Sequence, residues 1–192
     1  MNFRLRDIGL VLCGLYSSFF CFSLQAADYL NLIQWTSYEV DCNIGLQPRY
    51  ALSQNTPHGI AHANTKALVD WQLQITEEPS KQCKLNNFSV GVDIVISLPR
   101  FTGGCSKAVG MQLQTDLNKL KQHELIHAKH GYEAKKAIVA RLNMNQDEYD
   151  CATLKDIISA DIKRTLKGFE EKNARYDSLT HHGLRQEAWK GD

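Results

Sequence analysis

The chain has 192 residues, of which 43% are hydrophobic, 9% aromatic and 22% charged, and its 22 lysines and arginines nearly cancel 21 acidic residues. This composition excludes a disordered chain, a collagen-like chain and a polytopic membrane protein. It also lacks the basic excess by which nucleic-acid binders grip a phosphate backbone.

Residues 1–27 read as a secretory signal. Arg4 and Arg6 precede an apolar run from Ile8 to Leu24, and the small residues Ala26 and Ala27 follow at a plausible cleavage site. The run is short for a membrane-spanning helix, so cleavage is expected, with no stable membrane insertion afterwards. Its removal takes away Arg4, Arg6 and Asp7 and leaves the charge balanced. The expectation is an exported protein, periplasmic or secreted, whose residues 28–192 form a single domain.

The cysteines agree with export. Cys13 and Cys21 would leave with the signal, and Cys42, Cys83, Cys105 and Cys151 remain. Four cysteines in an exported chain suggest two disulfides with three possible connectivities. Cys83–Cys151 with Cys42–Cys105 is the pairing expected. No C-x-x-C spacing supports a cysteine–zinc site.

The first half reads as strands. Tyr38, Val40 and Cys42 alternate with polar neighbours. A second alternating run, Leu68 to Ile75, is closed by Glu77-Glu78-Pro79, and a third, Val90 to Ile96, ends at Leu98-Pro99. Antiparallel strands with one buried face are expected, with a loop or loose hairpin over 53–65. From about Cys105 the period becomes helical. One helix is expected over Met111 to Leu142, where Leu113, Leu117, Leu120, Ala134, Ile138 and Leu142 recur on one side. A second runs from about Ala152 to Lys172, with Leu154, Ile157, Ile158, Ile162, Leu166 and Phe169 on one side. Strands followed by helices predict an α+β domain.

One motif carries chemistry. His123-Glu124-Leu125-Ile126-His127 matches H-E-x-x-H. At about 100° per residue the two histidines stand one turn and roughly 40° apart, so both imidazoles can reach one zinc ion. Glu124 projects roughly 60° from His127, where it is poorly placed as a ligand but well placed as the general base for an attacking water.

A catalytic zinc needs a third protein ligand and an open position. Four candidates present themselves. His130 faces the same way as His123, Glu133 follows ten residues after His123, and Asp147, Glu148 or Asp150 could approach from the next segment. The fourth is the stretch Tyr176-Asp177-Ser178-Leu179-Thr180-His181-His182-Gly183, which a second helix folding back antiparallel would deliver to the site.

The H-E-x-x-H helix, the strand ending Val92-Asp93-Ile94-Val95-Ile96-Ser97-Leu98-Pro99, Cys151 at the start of the second helix and the late Y-D-x-x-T-x-H-G together resemble the predicted secreted zinc-dependent proteases of bacteria, a family also labelled a domain of unknown function. The resemblance covers most of the chain after the signal. It implies a zincin-like fold and His182 as the third ligand. Asp177 would orient a ligand imidazole, with Asp116 a further candidate for that role, and Tyr176 or Arg175 would steady the oxyanion.

The expected protein is therefore an exported zinc metallopeptidase with one zinc ion per chain. His123, His127 and His182 hold the ion, Glu124 is the base, and a peptide or protein is the substrate. Two other readings stay open: a non-catalytic, zincin-like binding or scaffold module of the cell envelope, and a zinc amidase acting on cell-wall peptides.

Overall fold

A computed structural model of the chain describes residues 28–41, 63–144, 147, 149–183 and 185–189. The signal, Cys42, Glu148 and most of the expected loop over 53–65 lie outside the described residues. Three strands and two long helices follow one another: β1 (Ile33–Asp41), β2 (Asn64–Glu77), β3 (Cys83–Thr102), α1 (Lys107–Met144) and α2 (Cys151–Thr180). Short 3-10 turns stand at Asp28–Leu32 and Gln186–Ala188. The α+β arrangement is as the sequence predicts.

The sheet order is β1-β3-β2. β3 is central, and its alternation explains why: Val92, Ile94 and Ile96 are buried while Asp93 between them is exposed. β2 pairs with β3 antiparallel, as expected for two alternating runs joined by a turn. β1 differs from the expectation: it runs parallel to β3, with Ile33 opposite Ile94 and Tyr38 opposite Pro99, so the sheet is mixed. Alternation fixes which face a strand buries but carries no sign for its direction, so the sequence pattern could not distinguish the two pairings.

α1 packs on β2 and β3, and α2 packs on α1. One core cluster joins Cys83 and Leu85 of β3 to Ile138 and Leu142 of α1 and to Leu154, Ile158 and Ile162 of α2. The helical members of this cluster belong to the stripes expected for the two helices, whereas Cys83 and Leu85 lie in β3 ahead of the expected alternating run. A second cluster brings Val92, Ile94 and Ile96 against Ala128. α1 lies close to the sheet at Gly131, where a Cβ would stand only 2.4 Å from the Cβ of Ala67 on β2.

A disulfide joins Cys83, at the start of β3, to Cys151, the first residue of α2. It is one of the two expected pairs, and it ties the α2 N-terminus to the sheet. Asp150 caps that terminus, accepting hydrogen bonds from the backbone N–H groups of Ala152 (3.1 Å) and Thr153 (3.0 Å). Cys105 is also disulfide-bonded. Among the described residues no helix is long and apolar enough to cross a membrane. Together with the disulfide, this is compatible with an exported protein.

α2 extends to Thr180, two turns beyond its expected end near Lys172. Tyr176, Asp177 and Thr180 are thus helical. The chain turns only at His181 and His182, both left-handed (φ 49° and 54°), and at Gly183 (φ 86°). The two helices are antiparallel, because Leu154 meets the end of α1 while Asp177 meets its middle.

Candidate metal centre

The centre forms where a stripe on α1 faces a stripe on α2. His123, His127 and His130 recur at spacings of four and three, and Asn173, Tyr176 and Thr180 at spacings of three and four, with Asp177 beside them. The helices run opposite ways, so His123 meets the Asp177–Thr180 end and His130 meets Asn173.

His123 Nε2 lies 3.0 Å from Asp177 Oδ1, His127 Nε2 lies 2.8 Å from the same oxygen, and the two Nε2 atoms are 3.0 Å apart. His123, His127 and Asp177 form a group that could hold a metal ion. The remaining ring nitrogens say why. His127 Nδ1 is 2.9 Å from Asn173 Oδ1, an atom that can only accept, so Nδ1 carries the hydrogen. His123 Nδ1 is 3.2 Å from Thr180 Oγ1, whose own hydrogen is given to the Tyr176 carbonyl at 2.8 Å. Both neutral imidazoles therefore present an Nε2 lone pair to the Asp177 carboxylate. Three converging acceptors repel one another unless a cation or a proton stands among them. Tetrahedral zinc ligands at about 2.0–2.1 Å from the ion stand roughly 3.3 Å apart, so these atoms need open by only a few tenths of an ångström.

A proton shared with Asp177 can also fill this role. Burial alone would lower the His127 pKa, but hydrogen bonds to Asp177 and Asn173 outweigh it and raise it above its usual value. Burial acts to raise the Asp177 carboxyl, yet its hydrogen bonds with His123 and His127 hold it well below the ordinary carboxylate range.

Glu124 is 4% exposed, and burial raises its pKa against the opposing effect of its hydrogen bond from Thr65. Thr65, near the start of β2, donates its hydroxyl to Glu124 Oε2 at 2.6 Å. Glu124 thus rests between a helix and a strand. Burial, with the charge of Glu124 adding to it, pushes the Tyr38 hydroxyl up to about 12. A cleft of about 360 Å³ is lined by Ala63, Thr65, Glu124, Asn173, Asp177 and His182 together with His123 and His127. It opens beside the start of β2, which is an edge strand of the three-stranded sheet described here.

The other sequence candidates fall as follows. His182 lines the cleft but stands at its rim: its side chain is 67% exposed, and its Nδ1 is 3.8 Å from Asp177 Oδ1. The left-handed turn at 181–182 ends α2 and carries this ring away from the helix stripe. Asp177, expected to orient an imidazole, instead reaches both Nε2 atoms. Tyr176 is fully buried; it stacks on His123 (ring centroids 4.6 Å apart, planes at 15°) and gives its hydroxyl to Gln186 Oε1 at 2.8 Å, so it braces His123 rather than facing the cleft. Asp116 accepts from Gln112 at 3.1 Å and does not line the cleft. Arg175 lines a different hollow, with Trp189. Glu133 pairs with Lys172 at 3.2 Å, Asp150 is spent on the cap, and His181 is exposed at the end of α2. Gly183 lies against His123, where a Cβ would come within 3.0 Å of the histidine Cβ. A glycine meets both that approach and the positive φ.

Asn173, Thr180 and Thr65 escaped the sequence reading as parts of the centre. The first two were legible in principle, since extending the α2 stripe by two turns places them beside Asp177. Thr65 was not, because strand-to-helix packing alone brings it to Glu124.

No curated protein and no solved structure matches the chain. A family model described as "Bacterial protein of unknown function (DUF922)" matches residues 35–183. The matched stretch begins in β1, contains every residue of the centre and ends on the glycine packed against His123. The chain belongs to this bacterial family.

Proposed function

We propose that the protein is an exported zinc-dependent peptidase. The single observation that carries the reading is the meeting of two Nε2 lone pairs and a carboxylate oxygen beside a buried glutamate in an open cleft. His123, His127 and Asp177 would hold the ion, with His182 at the rim. Two histidines and a carboxylate suit zinc, and three protein ligands leave a position open. Bound zinc supplies Lewis acidity, which makes water nucleophilic near neutral pH and polarises a substrate carbonyl.

The chain's own groups do the rest. Glu124 takes the proton from the attacking water and returns it to the leaving amine. Burial suits it to both tasks, because a carboxylate whose pKa is raised accepts the water's proton more readily, and a pKa brought closer to the working pH still lets it pass that proton on. Thr65 fixes the carboxylate through Oε2. Asn173 and Thr180 hold the two ligand rings. The edge of β2, unpaired among the described residues, would offer backbone groups to an extended peptide.

The test is hydrolysis of an unstructured protein by the purified chain, with and without one equivalent of zinc. Zinc-dependent cleavage supports the reading; zinc binding without cleavage of any peptide substrate points to a scaffold instead.

Two consequences are specific. Thr65→Val should leave zinc affinity unchanged and lower kcat by roughly 10–100-fold, the value of a hydrogen bond to a charged group of about 1.5–3 kcal/mol. Thr65→Ser should restore most of the rate. Zinc uptake should also release protons. Hydrogen bonds to Asp177 and Asn173 outweigh burial and raise the His127 pKa, and zinc must displace the proton this favours. Affinity should therefore rise with pH through the neutral range and level off once His127 is deprotonated, falling by up to about tenfold per pH unit on the acid side. Titration calorimetry in buffers of different ionisation enthalpy counts the protons released.

A further inference from the structure

We propose that Asn173 is a positioning residue for the metal centre and that His130 anchors it; this rests on the zinc reading above. Asn173 Oδ1 is 2.9 Å from His127 Nδ1 and 2.7 Å from His130 Nδ1. One amide oxygen thus receives two imidazole N–H groups, one from a ligand and one from a histidine that is not a ligand.

His130 is 2% exposed. It packs edge-on against Tyr176 and Trp189, with ring centroids 5.8 and 6.3 Å away. A leucine or phenylalanine would fill this space without bringing a polar group that needs a partner. The imidazole adds one thing they lack, an N–H aimed at Asn173. A single donor leaves an amide oxygen free to swing about its side-chain torsions. Two donors from rings fixed on the same helix, at His127 and three residues on at His130, define its place. With Oδ1 so fixed, His127 is held as the Nδ1–H tautomer and its Nε2 lone pair points at the position shared with His123 and Asp177. Asn173 lies one turn before Asp177 on α2, so one stretch of helix supplies both the carboxylate ligand and the group that orients the histidine facing it.

The test measures zinc affinity by chelator competition on the purified protein, alongside Asn173→Leu, Asn173→Asp and His130→Phe. Asn173→Leu should weaken zinc by roughly 10–100-fold, the usual effect of removing a hydrogen-bond partner from a metal-bound histidine. Asn173→Asp keeps the acceptor and should bind at least as tightly as the parent. His130→Phe should weaken binding by a smaller factor. A folded Asn173→Leu that binds zinc as tightly as the parent overturns the proposal while leaving the zinc reading intact. Failure of the parent to bind zinc overturns both. Should Asn173→Leu fail to fold, the nitrogen chemical shifts of the parent's imidazoles decide: Nδ1–H on both His127 and His130 supports the proposal, and Nε2–H on either one overturns it.

Discussion

Glu124→Gln should keep one equivalent of zinc and lose hydrolysis by at least about 10²–10⁴-fold, the usual contribution of a positioned general base. The amide has nearly the shape of the carboxylate and can still accept the Thr65 hydroxyl through its oxygen, so the cleft should not rearrange. What it lacks is basicity. Glu124 lies outside the His123–His127–Asp177 group, so metal content should be untouched. Activity assays with elemental analysis of the same preparation check both halves. A variant as active as the parent would eliminate Glu124 as the base. A parent whose only zinc effect is a higher melting temperature would favour the scaffold reading.

The second large effect separates Asp177 from His182. Asp177→Ala should lower zinc affinity by more than the roughly 10–100-fold that loss of an outer hydrogen-bond partner costs, because it removes a ligand and the charge that balances two imidazoles. It should also abolish the thermal shift. Zinc at 100 times its Kd stabilises a folded site by about 2.7 kcal/mol, which is roughly 5–10 °C for a chain of this size. His182→Ala should leave most of both. The reasoning is geometric: Asp177 Oδ1 is within 3.0 Å of both Nε2 atoms, whereas His182 is mostly exposed and reaches only the carboxylate, at 3.8 Å. If instead His182→Ala empties the site and Asp177→Ala does not, the rim histidine is the third ligand, and Asp177 serves to orient it.

Residues of the candidate centre differ in how readily the sequence showed them. His123, Glu124 and His127 follow from helical geometry alone, because four residues make about one turn. Nothing beyond the helix itself is needed to bring the two rings onto one face. Asp177 and His182 were both visible as donors in a late segment, but choosing between them required the end of α2. The helix runs on through Thr180, which puts Asp177 on the stripe facing α1 and leaves His182 on the turn that stops it. Helix ends depend on capping and on what the last turn packs against, and here Tyr176 and Thr180 are held by His123 from another helix.

By itself, the sequence determined the quantities that depend on spacing within one segment: the alternation of β2 and β3, the apolar stripes of both helices, the paired imidazoles with their neighbouring carboxylate, and the order of strands before helices. The tertiary structure alone decided whatever joins segments distant in the chain. It set β1 parallel to β3, turned Tyr176 inward as a brace, brought Thr65 to Glu124 across 59 residues and seated Asn173 between two histidines more than forty residues away. The physical reason is that periodicity records which side of an element is buried, whereas a binding centre depends on which two buried sides meet, and that is fixed only when the elements pack.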